Sequence, residues 1–71
     1  MPDMIFVESS NVEQIGYDEE SSELHVIFKV SGDHYVYLNV PEHIYQDFKN
    51  ATSIGSFLNR EIKKTYQFEK R

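Results

Sequence analysis

The chain has 71 residues and a net charge of −5, with five Phe, five Tyr and no Cys. A domain of this length buries only about 60% of the surface that its unfolded chain exposes, and without cysteine no disulfide or thiolate-bound metal can stabilise it. We therefore expect one domain over residues 1–71 with an aromatic core, and not a disulfide-rich secreted scaffold.

The charge is unevenly distributed along the chain. Residues 1–48 carry ten acidic and one basic side chain, for −9, whereas residues 49–71 carry six basic and two acidic side chains, for +4. The basic C-terminal third is therefore a candidate anion-binding region. The N-terminus has no basic segment, and no apolar run approaches the roughly 20 residues of a membrane helix. We expect a cytoplasmic protein with no signal peptide and no membrane partner.

The N-terminal half predicts strands. The short apolar run MIFV is a candidate first strand, and VEQIGYD is a second, with Ile15 and Tyr17 on one face. Gly16 lies between them and indicates either a bulge or a close approach of another backbone.

The alternating segment LHVIFKV and the segment HYVYLNV, separated by SGD, predict a β-hairpin. A two-residue Gly-Asp turn sets Val30 opposite Tyr35 and Phe28 opposite Tyr37, so both tyrosines join the core with Phe28. A four-residue loop ending at His34 gives the same facing. A three-residue turn would instead place both tyrosines outside, spaced for stacking bases as on RNA-binding sheets. We favour the first register because Gly-Asp suits that turn and the helices need an aromatic surface to cover.

The favoured register has a consequence for the opposite face of the sheet. That face presents a small apolar patch formed by Ile27, Val36 and Leu38. Either the N-terminal segment or a partner must cover it. These three residues are therefore the candidate protein interface.

The C-terminal half predicts two helices. NVPEHIYQDFKN reads as a short helix capped by Asn39 and stopped at Asn50, and TSIGSFLNREIKKTYQF reads as a second helix with one apolar stripe. Strands followed by helices predict an α+β fold, an antiparallel sheet of three to four strands followed by two short helices packed on one face.

Four motifs together indicate a family. They are Gly-Tyr-Asp at 16–18, Tyr-x-Tyr at 35–37, Val-Pro-x-x-x-Tyr at 40–45, and Ser-x-Gly with Phe and Asn at 53–59. The chain resembles the KTSC domain family from about Val7 to Tyr66. The resemblance implies a small domain that occurs alone and at the C-terminus of some lysyl-tRNA synthetases. It implies no established activity, and it implies RNA as a suggested ligand because of the synthetase context.

The basic C-terminal third holds the candidate RNA-binding residues. Three bases at i, i+3 and i+4 could meet successive phosphates, although three contacts to a single strand give a log–log salt slope of only about −2. The start of the second helix adds hydroxyls and a glycine that permits close approach. The candidates are Arg60, Lys63, Lys64, Ser53, Gly55 and Ser56. A solvated helix face with an ordinary serine cap is the open alternative.

No catalytic, cofactor or metal site is predicted. His25, His34 and His43 fall on a strand, near a turn and in a helix, without ligand spacing. The chain has no Cys nucleophile and no recognisable Ser-His-Asp set. The leading interpretation is a non-catalytic protein-interaction module with an unknown partner or weak homodimerisation. The alternative is a weak RNA (tRNA)-binding adaptor that uses the basic C-terminal helix.

Overall fold

The computed structural model describes residues 2–71 and has an α+β architecture. Five strands form one antiparallel sheet in the order β1-β2-β3-β4-β5, and two short helices lie between β4 and β5 in the chain. The elements are β1 (Met4–Phe6), β2 (Val12–Asp18), β3 (Glu23–Phe28), β4 (His34–Tyr37), α1 (Glu42–Lys49), α2 (Ile54–Phe57), which continues as a π-helical segment (Leu58–Ile62), and β5 (Phe68–Lys70). The predicted fold class and the two helices are confirmed, but the predicted three to four strands are too few.

The additional strand arises where a helix was expected. The second helix was predicted to continue to residue 68, but it ends at Ile62. The helix widens near this end, where the Lys63 amide donates to the Leu58 carbonyl at 2.9 Å in an i to i+5 bond. The chain then turns and runs antiparallel to β4, with Phe68 opposite Tyr37. A three-residue strand is too short to produce a sequence periodicity, so only its pairing reveals it.

The β3–β4 hairpin confirms the predicted face of the tyrosines but not the register. Val26 lies opposite Tyr35, and Leu24 lies opposite Tyr37. The loop begins after Phe28, whose amide donates to the Asp33 carbonyl at 2.9 Å. The predicted two-residue turn is therefore wrong, because the loop contains residues 29–32. Both tyrosines still share the inner face, because the register is shifted by an even number of residues.

Val30 is exposed because it lies in this longer loop. It was predicted on the inner face, but it lies in the loop and is 95% exposed. Gly32 closes the loop with φ +70°, in the left-handed region that glycine adopts without strain. Its amide donates to the Phe28 carbonyl at 3.0 Å, which ends the strand there.

The core lies between the inner face of the sheet and the two helices, as predicted. The sheet contributes buried side chains from β2, β3 and β4. The helices contribute buried side chains from the faces that they turn toward the sheet. This core contains Val12, Ile15, Leu24, Val26, Tyr37, Val40, Phe48, Ile54, Leu58 and Ile62.

The first helix begins later than its sequence signals predicted. Pro41 precedes Glu42, the first helical residue, and Asn39 lies at φ +57° without capping the helix. Asn50 ends it as predicted, with its amide bonded to the Gln46 carbonyl. The second helix is capped by Ser53, whose Oγ accepts from the Ser56 amide at 3.3 Å.

Gly16 is explained by a close approach of the edge strand. A Cβ at this position would lie 2.8 Å from the Asp3 carbonyl oxygen and 2.5 Å from Met4 Sδ. The bulge in β2 lies elsewhere, between Val12 and Gln14. Of the two sequence interpretations, close approach is the one the structure supports.

Candidate functional site

Three aromatic rings form a connected surface at the end of the sheet that the helices leave open. The Tyr35 and Phe68 rings are stacked, with centroids 5.1 Å apart and an angle of 4°, and Phe28 meets Tyr35 edge-on at 5.3 Å. Phe68 is 54% exposed, and the other two rings are partly buried. Phe28, Tyr35 and Phe68 are called the aromatic surface below.

The early end of the second helix leaves this surface uncovered. Ile62 is fully buried over the core, and the next residue, Lys63, extends its Nζ to 5.7 Å from the centre of the Phe28 ring. This distance allows a cation–π contact. A depression of about 340 Å³ lies here, lined by Asn11, Phe28, Val30, Ser31, Asp33, Tyr35 and Lys63.

A second lysine lies beside the aromatic surface. Lys70 lies opposite Tyr35 in the β4–β5 pairing, and its Nζ is 3.5 Å from an Asp33 carboxylate oxygen. Surface ion pairs of this kind are weak, so Lys70 can exchange Asp33 for another anion at little cost. The rings therefore have two exposed lysines beside them.

The predicted RNA-binding residues divide into three groups. Ser53, Gly55 and Ser56 meet at the start of α2 and line a polar depression of about 330 Å³ together with Glu8, Ser9, Ser10, Asn11, Thr52, Ile54 and Asn59. Lys63 joins the aromatic surface instead. Arg60 and Lys64 are exposed and line neither depression, and Arg60 Nε lies 3.9 Å from Glu61.

The two depressions adjoin at Asn11, which lines both of them. Asn11 also approaches the second helix closely, because its Oδ1 lies 3.0 Å from where a Cβ on Gly55 would be. Gly55 thus permits the β1–β2 loop to pack against the helix start. This packing makes the polar and aromatic regions one continuous surface.

The predicted protein interface is corrected by burial. Val36 is 0% exposed and cannot lie at the centre of an exposed patch. It is opposite His25 on β3 and Glu69 on β5, whose longer side chains flank it on the outer face. Ile27 and Leu38 are partly buried. The core aromatic motif is also split, since Tyr37 is 1% exposed while Tyr35 and Phe28 reach the surface.

A histidine pair that no sequence pattern predicted lies on the outer face. His25 Nδ1 is 2.8 Å from His34 Nε2, and the buried His25 Nε2 has no hydrogen-bond partner, with Glu23 Oε1 at 3.7 Å. Burial, and then the neighbouring His34, lower the pKa of His25 below its ordinary 6.5. A correct hairpin register would have revealed this pair, because it sets His34 opposite Ile27, two residues along β3 from His25 and on the same face.

Other site classes find no support in the part of the chain that the structure describes. Within residues 2–71, no three His, Cys, Asp or Glu side chains are grouped so as to hold a metal ion. In the same range, no helix has the length and apolar character needed to cross a membrane.

A model of the KTSC domain matches residues 8–66, which is most of the chain. The chain belongs to the KTSC domain family. The crystal structure of a KTSC domain protein from Yersinia pestis superposes with a TM-score of 0.93 and 35% identity, covering 100% of this chain and 99% of that one.

Two curated relatives place the domain in different contexts. A lysine–tRNA ligase of Nostoc punctiforme is 36% identical over 62 residues, which are 87% of this chain but only 11% of the ligase. A protein of Tsukamurella paurometabola is 36% identical over 61 residues, which are 86% of this chain and 90% of that protein. This chain therefore spans about a tenth of the ligase and nearly all of the small relative.

The motifs of this KTSC domain separate into structural and exposed positions. In the central Tyr35-Val36-Tyr37, the second and third residues are buried, and only Tyr35 reaches solvent, beside Phe68. Tyr17 of Gly-Tyr-Asp donates its hydroxyl to the Val40 carbonyl at 2.5 Å. That bond ties two motifs of the family together across the fold.

Proposed function

We propose that this KTSC domain is a non-catalytic module that binds single-stranded RNA on the aromatic surface. The observation that carries the proposal is the stacked Tyr35–Phe68 pair, which is open to solvent and has Lys63 and Lys70 at its margins. Aromatic rings that stack bases, combined with cations that meet phosphates, are the usual means of binding a single strand.

The chemistry of the surface suits a weak and salt-sensitive contact. Stacking on an aromatic side chain contributes roughly 1–3 kcal/mol per base. Each lysine that meets a phosphate adds affinity that falls as salt rises. The net charge of −5 opposes long-range attraction of RNA, so binding depends on the local +4 of residues 49–71.

The relatives add support for RNA as the ligand. One of them is named as a ligase of lysine and tRNA, and a region of it matches 87% of this chain in sequence. A domain attached to such an enzyme is suited to hold part of an RNA while the rest of the enzyme acts. The same surface in a free-standing domain would bind RNA without that enzyme.

The composition of the two depressions described above supports a binding role for them. The aromatic depression contains one carboxylate, Asp33, which is engaged with Lys70, and the polar depression contains one, Glu8. General acid–base catalysis needs titratable groups converging on one reacting position. Neither depression assembles such a set, so we assign both to binding.

The test compares two exposed phenylalanines. Phe68 lies in the aromatic surface, whereas Phe6 is 77% exposed on β1, at the opposite edge of the sheet. With a fluorescent single-stranded oligoribonucleotide at low salt, Phe68→Ala should weaken binding about tenfold, which corresponds to one lost stacking contact of about 1.4 kcal/mol. Phe6→Ala should leave the affinity unchanged. Equal effects of the two substitutions, or no binding by the wild type, would reject the proposal.

A protein partner or weak homodimer is the second candidate, and Phe6 is the observation that favours it. Phe6 pairs with Gln14, and Gln14 pairs with Ile27, so one row on the outer face ends in an exposed ring. Leu38 is partly exposed beyond β4. Light scattering on the wild type and on Phe6→Glu tests this. If both samples remain monomeric at the highest concentration that light scattering allows, the homodimer is rejected.

A further inference from the structure

The histidine pair lies directly behind the aromatic surface. Successive residues of a strand point to opposite faces, so His34 is on the outer face and Tyr35 on the inner face. The His34 carbonyl accepts a hydrogen bond from the Arg71 amide at 2.7 Å, and Tyr35 lies opposite Lys70. The pair therefore adjoins the β4–β5 pairing that holds Phe68 against Tyr35.

The 2.8 Å contact between His25 Nδ1 and His34 Nε2 restricts how many protons the pair can carry. The bond needs one N–H donor and one lone pair. With both rings neutral, or with one ring charged, this requirement is met. With both rings charged, each nitrogen carries a proton, two donors face each other, and the contact must open.

Charged groups from every neighbouring strand act on His25. Glu23 on its own strand and Asp18 on β2 favour its charged form, whereas His34 on β4 and Arg71 after β5 oppose it. Glu69 on β5 acts through Arg71, whose Nη2 lies 3.0 Å from a Glu69 oxygen and 3.4 Å from Glu23 Oε2.

Glu23 is thus shared between His25 and Arg71. One of its carboxylate oxygens lies 3.7 Å from His25 Nε2, and the other holds Arg71. A charge on His25 repels Arg71 and competes with it for this carboxylate. Charging both histidines therefore weakens the attachment of the end of β5 in two ways, by repulsion of Arg71 and by competition for the Glu23 carboxylate. Burial, with His34, lowers the pKa of His25, so this second charge appears only under acidic conditions.

We propose that the His25–His34 pair is a proton-operated switch that regulates the aromatic surface, an inference that rests on the proposed RNA-binding function. While the pair carries at most one positive charge, the β4–β5 pairing holds Phe68 stacked on Tyr35 and the surface is complete. When both histidines are charged, the pair separates, the segment that carries Arg71 is released, and Phe68 leaves Tyr35.

The switch predicts a pH dependence opposite to that of general electrostatics. Protonating histidines makes the chain less negative, which by itself should strengthen RNA binding as pH falls. The switch predicts weaker binding, by up to about tenfold per pH unit once the pair takes up its second positive charge. Oligoribonucleotide affinity is measured at constant low salt from about pH 8 to about pH 5. In parallel, the NMR signals of the Phe68 ring and of the three imidazoles are followed without RNA.

Two variants distinguish the effect of the His25–His34 pair from that of the third histidine, His43. His34→Gln retains a donor toward His25 Nδ1 but cannot become charged, so binding should stop weakening with acid. His43→Gln removes an exposed histidine of α1 and should behave as the wild type does. The wild-type titration of the imidazole and Phe68 signals needs no variant, so the test stands even where a substitution destabilises the domain.

Each outcome decides a separate point. RNA affinity that is constant or rises with acid in the wild type overturns the switch, as does an unchanged Phe68 signal when both His25 and His34 are charged. The conformational switch is supported if the Phe68 NMR signal shifts as the histidine pair becomes charged and does not shift in His34→Gln. If the same protein binds no RNA at any pH, the proposed function fails, while the conformational result stands by itself.

Discussion

The Phe68 ring lies parallel to the Tyr35 ring, 5.1 Å away between centroids and at an angle of 4°. Tyr35 belongs to the central hairpin, whereas Phe68 belongs to the last strand, after both helices. This contact joins the end of the chain to its centre. It also leaves an aromatic ring 54% exposed where a ligand can reach it.

Replacing Phe68 by Ala should cost little stability. The side chain is half exposed, so we expect a loss of about 1 kcal/mol, mostly from its stacking contact. Phe48→Ala is the matched comparison, because Phe48 is 0% exposed, and its loss should reach about 3–5 kcal/mol. Urea denaturation measures both. If Phe68→Ala costs as much as Phe48→Ala, the ring is a structural residue and the aromatic surface is not a free binding site.

The pKa of Tyr37 should lie well above the ordinary value of a tyrosine. Burial, with a contribution from neighbouring Tyr35, raises its pKa to about 12. The folded state therefore keeps this phenol protonated while the unfolded state releases the proton above about pH 10. The stability from this group is full below pH 10 and is lost as pH rises toward 12, on the order of 2–3 kcal/mol.

The measurement for Tyr37 is tyrosinate absorbance against pH, with urea denaturation at each pH. In Tyr37→Phe, the phenol that titrates near pH 12 should vanish, and the alkaline loss of stability should become shallower. Tyr66→Phe is the control, because Tyr66 lies outside the fully buried core. A wild-type titration in which all five tyrosines ionise together near pH 10 would contradict the buried position of Tyr37.

The hairpin loop shows which features of β3 the sequence pattern predicts and which it does not. Alternation in β3 placed Leu24, Val26 and Phe28 on the core face correctly, because one buried face demands a period of two. Alternation could not say where β3 ends. Val30 continues the apolar pattern, yet it lies in the loop, because the Phe28 and Gly32 hydrogen bonds close the strand earlier.

The binding surface could be predicted only in part. Lys63 and Tyr35 were singled out from residue type and spacing, but their meeting at Phe28 depends on where the second helix ends. Phe68 was read as helical, since three residues of β5 carry no periodic signal. The histidine pair was missed because the predicted hairpin register was wrong, whereas the observed register sets His34 opposite Ile27, on the same face as His25.

Gly16→Ala should destabilise the domain. A methyl group there would meet the Asp3 carbonyl oxygen, which can retreat only if β1 moves. We expect a loss of about 1–3 kcal/mol, as for other overpacked sites. Gly55→Ala is the control, because its tightest neighbour is the exposed Asn11 side chain, and alanine favours helix by about 0.5–1 kcal/mol. A smaller loss in Gly16→Ala than in Gly55→Ala would disprove the close approach of β1.

Acid should destabilise the fold through His25 before the carboxylates titrate. Its folded-state pKa lies below the ordinary 6.5, so the unfolded chain binds more protons in the interval between the two values. Stability therefore falls as pH drops through about 6.5, with a slope of at most about 1.4 kcal/mol per pH unit for one proton.

Urea denaturation between about pH 8 and pH 5.5 isolates this effect from Asp and Glu. His25→Gln should flatten the slope, and His43→Gln should preserve it. A wild-type slope of zero, or an identical slope in His25→Gln, would show that His25 is charged in the folded domain without strain.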